Sequence, residues 1–204
     1  MQLPTFEHER KLWDAGIQHV AGVDEVGRGC FAGPVVAAAV VLPSHFNATN
    51  EINDSKKLSA KKREQLAAII QKHAIAYSIA EVSVPVINEI GIGKAAQIAF
   101  AQAIKDLKTP PDHILIDAFM IKDINPTIQT PIIHGDRLSI SIAAASIIAK
   151  VYRDALMGKL HEQYINYNFL SNKGYGTKAH REAIAKFGLS DLHRTSFQLE
   201  KFLN

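Results

Sequence analysis

Two adjacent carboxylates close the apolar run Val20-Ala21-Gly22-Val23-Asp24-Glu25-Val26, and the turn Gly27-Arg28-Gly29 follows at once. Burying charge is costly unless it is paired or binds metal, so acids set against a strand point to use. Glycine lets a ligand approach the backbone closely, and arginine offers a planar fork of donors matched to phosphate. Acids suited to a metal beside a base suited to phosphate indicate metal-dependent phosphate chemistry. Two more carboxylates fall at strand ends or turns: Asp117 after Ile114-Leu115-Ile116, and Asp136 after Gly135. Ligands of open α/β sheets gather at the carboxyl ends of strands. Hard divalent cations take oxygen ligands, a few carboxylates together with substrate phosphate. Without such ions, clustered acids repel one another and take up protons.

Each acid also has a plainer reading. Asp117 suits the start of a turn, Asp136 a turn residue at a helix start, and the Asp24–Glu25 pair an exposed edge. Consecutive strand residues point to opposite faces. Both members of the pair therefore reach one site only if the strand breaks there, and Gly27 and Gly29 offer a place for the break. Other chemistries find no support. The nine histidines lack zinc spacing, and the single cysteine, Cys30, cannot build a thiolate site. Ser146 lies inside the apolar stretch Ile140 to Ala149 and reads as a packing residue.

The elements that must position these groups follow from periodicity and punctuation. Pro4 to Asp14 reads as a short helix stopped by Gly16, Val20 to Val26 as a strand, and the valine-rich Pro34 to Leu42 as a strand buried on both faces. Ser59 caps a helix to about His73, and Ile75, Tyr77 and Ile79 alternate as a third strand. Pro85 to Leu107 reads as a helix interrupted near Gly91 and Gly93. Ile114 to Asp117 and Pro131 to His134 are short strands. Ser139 to about Tyr164 is a long central helix, Thr177 caps another that ends at Phe187-Gly188, and a last helix is expected from Phe197 to Leu203. Adjacent strands first and alternation afterwards argue for a mixed sheet covered by helices. The expected division is a catalytic core over residues 1–160 and a helical extension over 161–204.

Composition narrows the setting. With 204 residues, 47% hydrophobic and 21% charged, the chain can bury one sizeable core. One cysteine excludes an internal disulfide framework and fits a reducing compartment. No apolar run reaches membrane-spanning length, and Met1 to Trp13 is charged where a secretory signal is apolar, so a cytoplasmic protein is expected. Lys and Arg number 14 against 15 Asp and Glu in residues 1–149, but 9 against 5 in residues 150–204, and Lys56, Lys57, Lys61, Lys62 and Arg63 form a second basic cluster. That asymmetry suits a polyanion partner, and it equally suits solvated helix faces.

The motifs together resemble a family. Gly22-Val23-Asp24-Glu25-Val26-Gly27-Arg28-Gly29 with Ala32-Gly33-Pro34-Val35-Val36-Ala37-Ala38 resembles the N-terminal signature of bacterial and archaeal ribonuclease HII. Asp54-Ser55-Lys56-Lys57-Leu58-Ser59, Ile114-Leu115-Ile116-Asp117, Gly135-Asp136, Ala143 to Lys150 with Arg153-Asp154, Lys173-Gly174-Tyr175-Gly176-Thr177 with His180, and Arg194-Thr195-Ser196-Phe197 resemble its later blocks, in order. The resemblance implies a ribonuclease H-like fold, a mixed five-stranded sheet flanked by helices with a C-terminal helical appendage. It implies hydrolysis of RNA in RNA–DNA hybrids and cleavage 5′ to ribonucleotides embedded in duplex DNA, leaving 3′-hydroxyl and 5′-phosphate ends. It implies Asp24, Glu25, Asp117 and Asp136 as catalytic metal ligands for Mg²⁺ or Mn²⁺, with two ions in the substrate complex. Gly27, Arg28 and Gly29 would contact the 2′-hydroxyl and nearby phosphates, and Tyr175 would pack on the sugar of the next nucleotide. Ser55, Lys56, Lys57, Lys150 and Arg153 are candidates for further substrate contacts. For the basic residues, solvated lysines and a helix ion pair of Arg153 are the alternative.

Two departures from the family pattern are His134, where lysine is usual, and Cys30-Phe31 in place of Pro-Leu. The alternatives are the sister group, ribonuclease HIII, whose chains are longer and carry a different residue at the place of Arg28, and another nuclease of the same fold, which would not explain the Lys173-Gly174-Tyr175 block. A non-catalytic hybrid-binding module would not need all four acids. A monomer is expected. The tail Gln198 to Leu203 loosely resembles peptides that dock on sliding clamps, and equally suits an amphipathic terminal segment packing Leu199, Phe202 and Leu203.

Overall fold

A computed structural model describes residues 3–47, 51–55 and 58–203. Five strands form one sheet: β1 (Val20–Val26), β2 (Val35–Val41), β3 (Ala76–Val82), β4 (His113–Asp117) and β5 (Gln129–Ile132), in the spatial order β3-β2-β1-β4-β5. β1 pairs antiparallel with β2 and parallel with β4, and β4 pairs parallel with β5, so the sheet is mixed as expected. Among the described residues, seven α-helices accompany it: α1 (Glu7–Asp14), α2 (Ala60–His73), α3 (Val84–Ile90), α4 (Ile92–Lys105), α5 (Ile140–Gln163), α6 (Phe169–Asn172) and α7 (Lys178–Phe187).

β2 is buried along its whole length because helices cover both faces. Its Val36, Ala38 and Val40 face the Ala- and Ile-rich flank of α5, while Val35, Ala37, Ala39 and Val41 face Ala95, Ala99, Phe100 and Ala103 of α4. The small residues on both sides bring backbones close. The tightest approach is at Gly22 of β1, where a Cβ would stand 2.0 Å from the backbone carbon of Ser141 in α5. α5 thus lies directly against the strand that carries Asp24 and Glu25.

Ser59 and Thr177 cap as read, and Ser139 caps as well. Oγ atoms of Ser59, Ser139 and Thr177 accept from Lys62, Ile142 and His180 N–H groups at the starts of α2, α5 and α7. The interrupted helix is two helices broken at Gly91, whose φ of 81° no β-carbon residue adopts easily.

Four expectations need correction. In β3 the inward residues are Ala76, Ser78, Ala80 and Val82, while Ile75 and Tyr77 are exposed; α4 meets this edge strand with its own alanines and phenylalanine, leaving room only for small partners. β5 lies two residues earlier than Pro131–His134, because His134 turns left-handed at φ 58° and ends the extended run. The tail forms two 3₁₀ turns, Thr195–Phe197 and Leu199–Phe202, split by left-handed Gln198 rather than a helix. Residues 165–172, given no element from sequence, form a 3₁₀ turn and α6.

Candidate active site

The site assembles where β1 and β4 end side by side. Their last paired residues are Val23 and Ile116, so Asp24 and Asp117 stand next along adjacent parallel strands. The expected break in β1 is absent: its ladder with β2 runs unbroken through Asp24↔Ala38, Glu25↔Ala37 and Val26↔Val36. Asp24 shares the face of α5, and Glu25 the face of Val23 and α4. Both nevertheless line one cleft of about 530 Å³, because it wraps around the carboxyl end of β1 instead of lying on one face of the sheet.

The same cleft is lined by Gly27, Arg28, Gly29, Ser55, Asp117, Lys150 and Tyr175. Asp136 is buried in the 3₁₀ turn Gly135–Arg137 just before α5 and does not line it, although its charge reaches Asp24. Asp117 Oδ1 accepts from the Gly135 N–H at 2.7 Å, which ties the end of β4 to that turn. Burial pushes the Asp24 carboxyl well above the usual range, and Glu25, Asp117 and Asp136 push it further in the same direction. A hydrogen bond from Ser146 opposes this. Such a group of oxygen donors suits a hard divalent cation, whose charge would relieve the repulsion. Among the described residues, no three His, Cys, Asp or Glu side chains already close around a metal position.

Around the acids, Arg28 is held in place by Glu25, at 3.8 Å, and by the face of Phe119, 4.7 Å from its guanidinium carbon. Lys150 on α5 pairs with Asp154 at 2.7 Å and lies 5.6 Å from the centre of the Tyr175 ring. Burial pushes the Tyr175 phenol up to about 12, so the ring stays neutral. Gly27 has φ 94°, and a Cβ there would strike Arg153 Nε at 2.2 Å; around Gly29 the corresponding position is open.

Arg153 requires a correction. It is fully buried behind the cleft, where its guanidinium donates to the carbonyls of Pro34, Lys173 and Ala32 at 3.0, 2.8 and 3.0 Å. It fastens two loops and does not line the cleft. Ser146 is a correction in the other direction. Its Oγ lies 3.0 Å from Ser55 Oγ, and the residue lines the cleft beside Asp24. Its apolar neighbours concealed it, although a four-residue spacing from both Ile142 and Lys150 puts it with them on one face of α5. Arg63, read only as part of a basic cluster, also lines the cleft and pairs with Asp154 at 3.5 Å. Lys56 and Lys57 lie outside the described residues.

The comparisons with known proteins decide the family. The model of the Ribonuclease HII family matches residues 21–200. The chain belongs to the ribonuclease HII family. A ribonuclease HII of Syntrophus aciditrophicus (strain SB) is 50% identical over 192 residues, which cover 94% of this chain and 90% of that relative. Among solved structures, the ribonuclease H2 of Pyrococcus horikoshii OT3 superposes with a TM-score of 0.73 at 26% identity, covering 90% of this chain and 98% of that one. The RNase HII of a PCNA:RNase HII complex from Archaeoglobus fulgidus gives 0.71 at 27% identity, covering 88% and 93%. The fold is therefore that of ribonucleases H, and this member of the ribonuclease HII family is an endoribonuclease of the ribonuclease H class.

Proposed function

We propose that the enzyme cleaves the RNA strand of RNA–DNA hybrids, and cuts 5′ to single ribonucleotides in duplex DNA, using two divalent ions, Mg²⁺ or Mn²⁺, held by Asp24, Glu25, Asp117 and Asp136 with the scissile phosphate. One observation carries the reading: acids from the ends of β1 and β4 share a single cleft with the Gly27-Arg28-Gly29 turn and Tyr175. When bound, such ions lower the pKa of an attacking water and offset charge on the leaving 3′-oxygen.

The chain's own residues then select and orient. The 2′-hydroxyl distinguishes RNA from DNA at one position, and the glycine backbone around Arg28 can meet it with no side chain intervening. Arg28, steadied by Glu25 and Phe119, presents its fork toward phosphate. Lys150, steadied by Asp154, contacts the backbone of the nucleic acid, which fixes position but not sequence. The neutral Tyr175 ring serves as a packing surface for the next sugar rather than as a base.

Cys30 is buried and free, and no helix among the described residues is long and apolar enough to cross a membrane; both support a cytoplasmic enzyme. The tail gives a clamp little to hold: Leu199 is buried and Phe202 stacks on Phe31 at 5.6 Å.

A DNA duplex with one embedded ribonucleotide tests the function. With Mg²⁺ or Mn²⁺ it is cut 5′ to that residue. No cleavage with either ion, or equal cutting of an all-DNA duplex, overturns the reading.

A further inference from the structure

Behind the two groups assigned to ribonucleotide recognition runs a continuous chain of buried hydrogen bonds whose proton positions are fixed. His180 Nδ1 lies 2.9 Å from the Tyr175 carbonyl, which can only accept, so Nδ1 carries the proton and Nε2 is bare. At the other end, the Ser190 N–H donates to His193 Nδ1 at 2.9 Å, so that nitrogen is bare and Nε2 carries the proton. The two Nε2 atoms are 3.1 Å apart, His193 donating and His180 accepting. Both imidazoles are thereby neutral and all four ring nitrogens are partnered. Tyr167, Phe169 and Phe31 enclose the pair, with ring centroids 4.7 to 6.4 Å away.

The chain joins the two recognition elements. Arg194, next to His193, donates to the Arg28 carbonyl at 3.0 Å and to the Gly33 carbonyl at 3.0 and 2.7 Å. Its backbone N–H bonds the Phe31 carbonyl at 2.8 Å. One end of the frame thus holds the backbone of the Gly27–Gly29 turn, and the other holds the backbone of Tyr175. Tyr175 itself sits in a loop with left-handed Lys173 and Gly174 on its N-terminal side. A Cβ at Gly174 would strike the Ala32 carbonyl oxygen at 2.3 Å, and the Phe31 N–H donates to the Gly174 carbonyl at 2.8 Å, so the loop lies directly against the segment that follows the turn.

We propose that His180 and His193 are positioning residues for ribonucleotide selectivity: their neutral, ordered pair sets the place of Tyr175 relative to the Gly27-Arg28-Gly29 turn. The inference rests on the proposed function, in which those two elements recognise the ribonucleotide and its neighbour. Neither histidine reaches the cleft, and both act only through the backbone they hold. Losing one hydrogen bond to a buried carbonyl is worth about a factor of ten, and here it falls on the position of one ring.

The test compares kcat/KM on a single-ribonucleotide duplex with kcat/KM on a long RNA–DNA hybrid. His180→Leu removes the donor to Tyr175 and is expected to lower this ratio about tenfold. His180→Asn, whose amide can still donate, restores most of it. In the background of Tyr175→Ala, which lowers the ratio by itself, His180→Leu adds nothing further, because the two act through one ring. In the unaltered protein, ¹⁵N NMR of the imidazoles is expected to find the proton on Nδ1 of His180 and on Nε2 of His193. That measurement stands even if His180→Leu fails to fold.

Equal losses on both substrates, additive effects in the double variant, or the opposite tautomers overturn the inference. Failure of the unaltered protein to cut either substrate instead overturns the proposed function, and the inference with it.

Discussion

At the scale of the residue, the acids act on one another through charge, and in the proposed function cations complete the group. Asp24 is buried, and each of its acidic neighbours adds to the difficulty of ionising it. Removing its charge should therefore relieve the metal-free fold while destroying the site. Asp24→Asn is expected to raise the melting temperature in chelator relative to the unaltered protein, and to abolish the further rise that Mg²⁺ gives the latter; calorimetry with and without the ion checks both. Asp117→Asn makes the complementary case. Asn retains the oxygen that accepts the Gly135 N–H, so the turn holding Asp136 stays in place. Activity is expected to drop at least about 10²-fold with circular dichroism unchanged. Retained turnover would remove Asp117 from the ligand set. These acids were legible in the sequence because a charge at a strand end is chemically conspicuous. Ser146 was not, since a buried serine among alanines looks like packing until its hydroxyl is seen facing Ser55 and Asp24.

At the scale of the element, the sequence exposes what local chemistry dictates and conceals what partners dictate. β1, the cap at Ser59, the cap at Thr177 and the break at Gly91 were all readable, because each depends on a residue and its immediate neighbours. The inward face of β3 was not, because it depends on what α4 presents across the interface. Nor was the way Asp24 and Glu25 share a site. A break in the strand was expected, whereas only the pairing with β4 ends, after Val23, and the cleft takes in both Asp24 and Glu25. Gly22 expresses the same dependence most sharply. Its missing side chain matters only because α5 crosses there, 2.0 Å from where a Cβ would be. Backbone cannot yield as a flexible side chain does, so Gly22→Ala must push α5 outward. We expect a cost of about 3 kcal/mol or more, seen as a fall of about 10 °C in melting temperature. Because α5 carries Ser146 and Lys150, activity should fall with it. A variant of unchanged stability would mean that the helix is not held against the strand.

At the scale of the whole molecule, the proposed division into a core and an extension after residue 160 meets a set of buried crossings. α5 itself runs through that position to Gln163. Arg153 reaches from α5 to the carbonyl of Lys173, and Arg194 reaches back to Arg28 and Gly33. Removing the guanidinium of Arg153 would leave three carbonyls without these donors, and that of Arg194 two, at about 1–3 kcal/mol each, so core and C-terminal segment should unfold in one transition. The histidine pair gives that transition a pH dependence. Burial, and then its neighbour His180, hold His193 down to about 4, against an ordinary value of 6.5. Burial also lowers His180. Between those values the unfolded chain binds more protons than the folded one, so stability must rise with pH across that window. The contribution is complete above pH 6.5, is lost steadily as pH falls toward about 4, and changes little below that. In an Asp24→Asn background, which removes the opposing proton uptake of that buried acid, melting temperature measured from pH 8 to pH 4 should therefore hold level and then drop by several degrees. In His193→Gln, which carries no titrating group, the drop should be shallower over the same window. Amide exchange near pH 5 should show residues 173–194 losing protection ahead of the sheet. A single variant that melts in two steps at neutral pH, Arg194→Met, would show that this guanidinium is what makes the two parts one cooperative body.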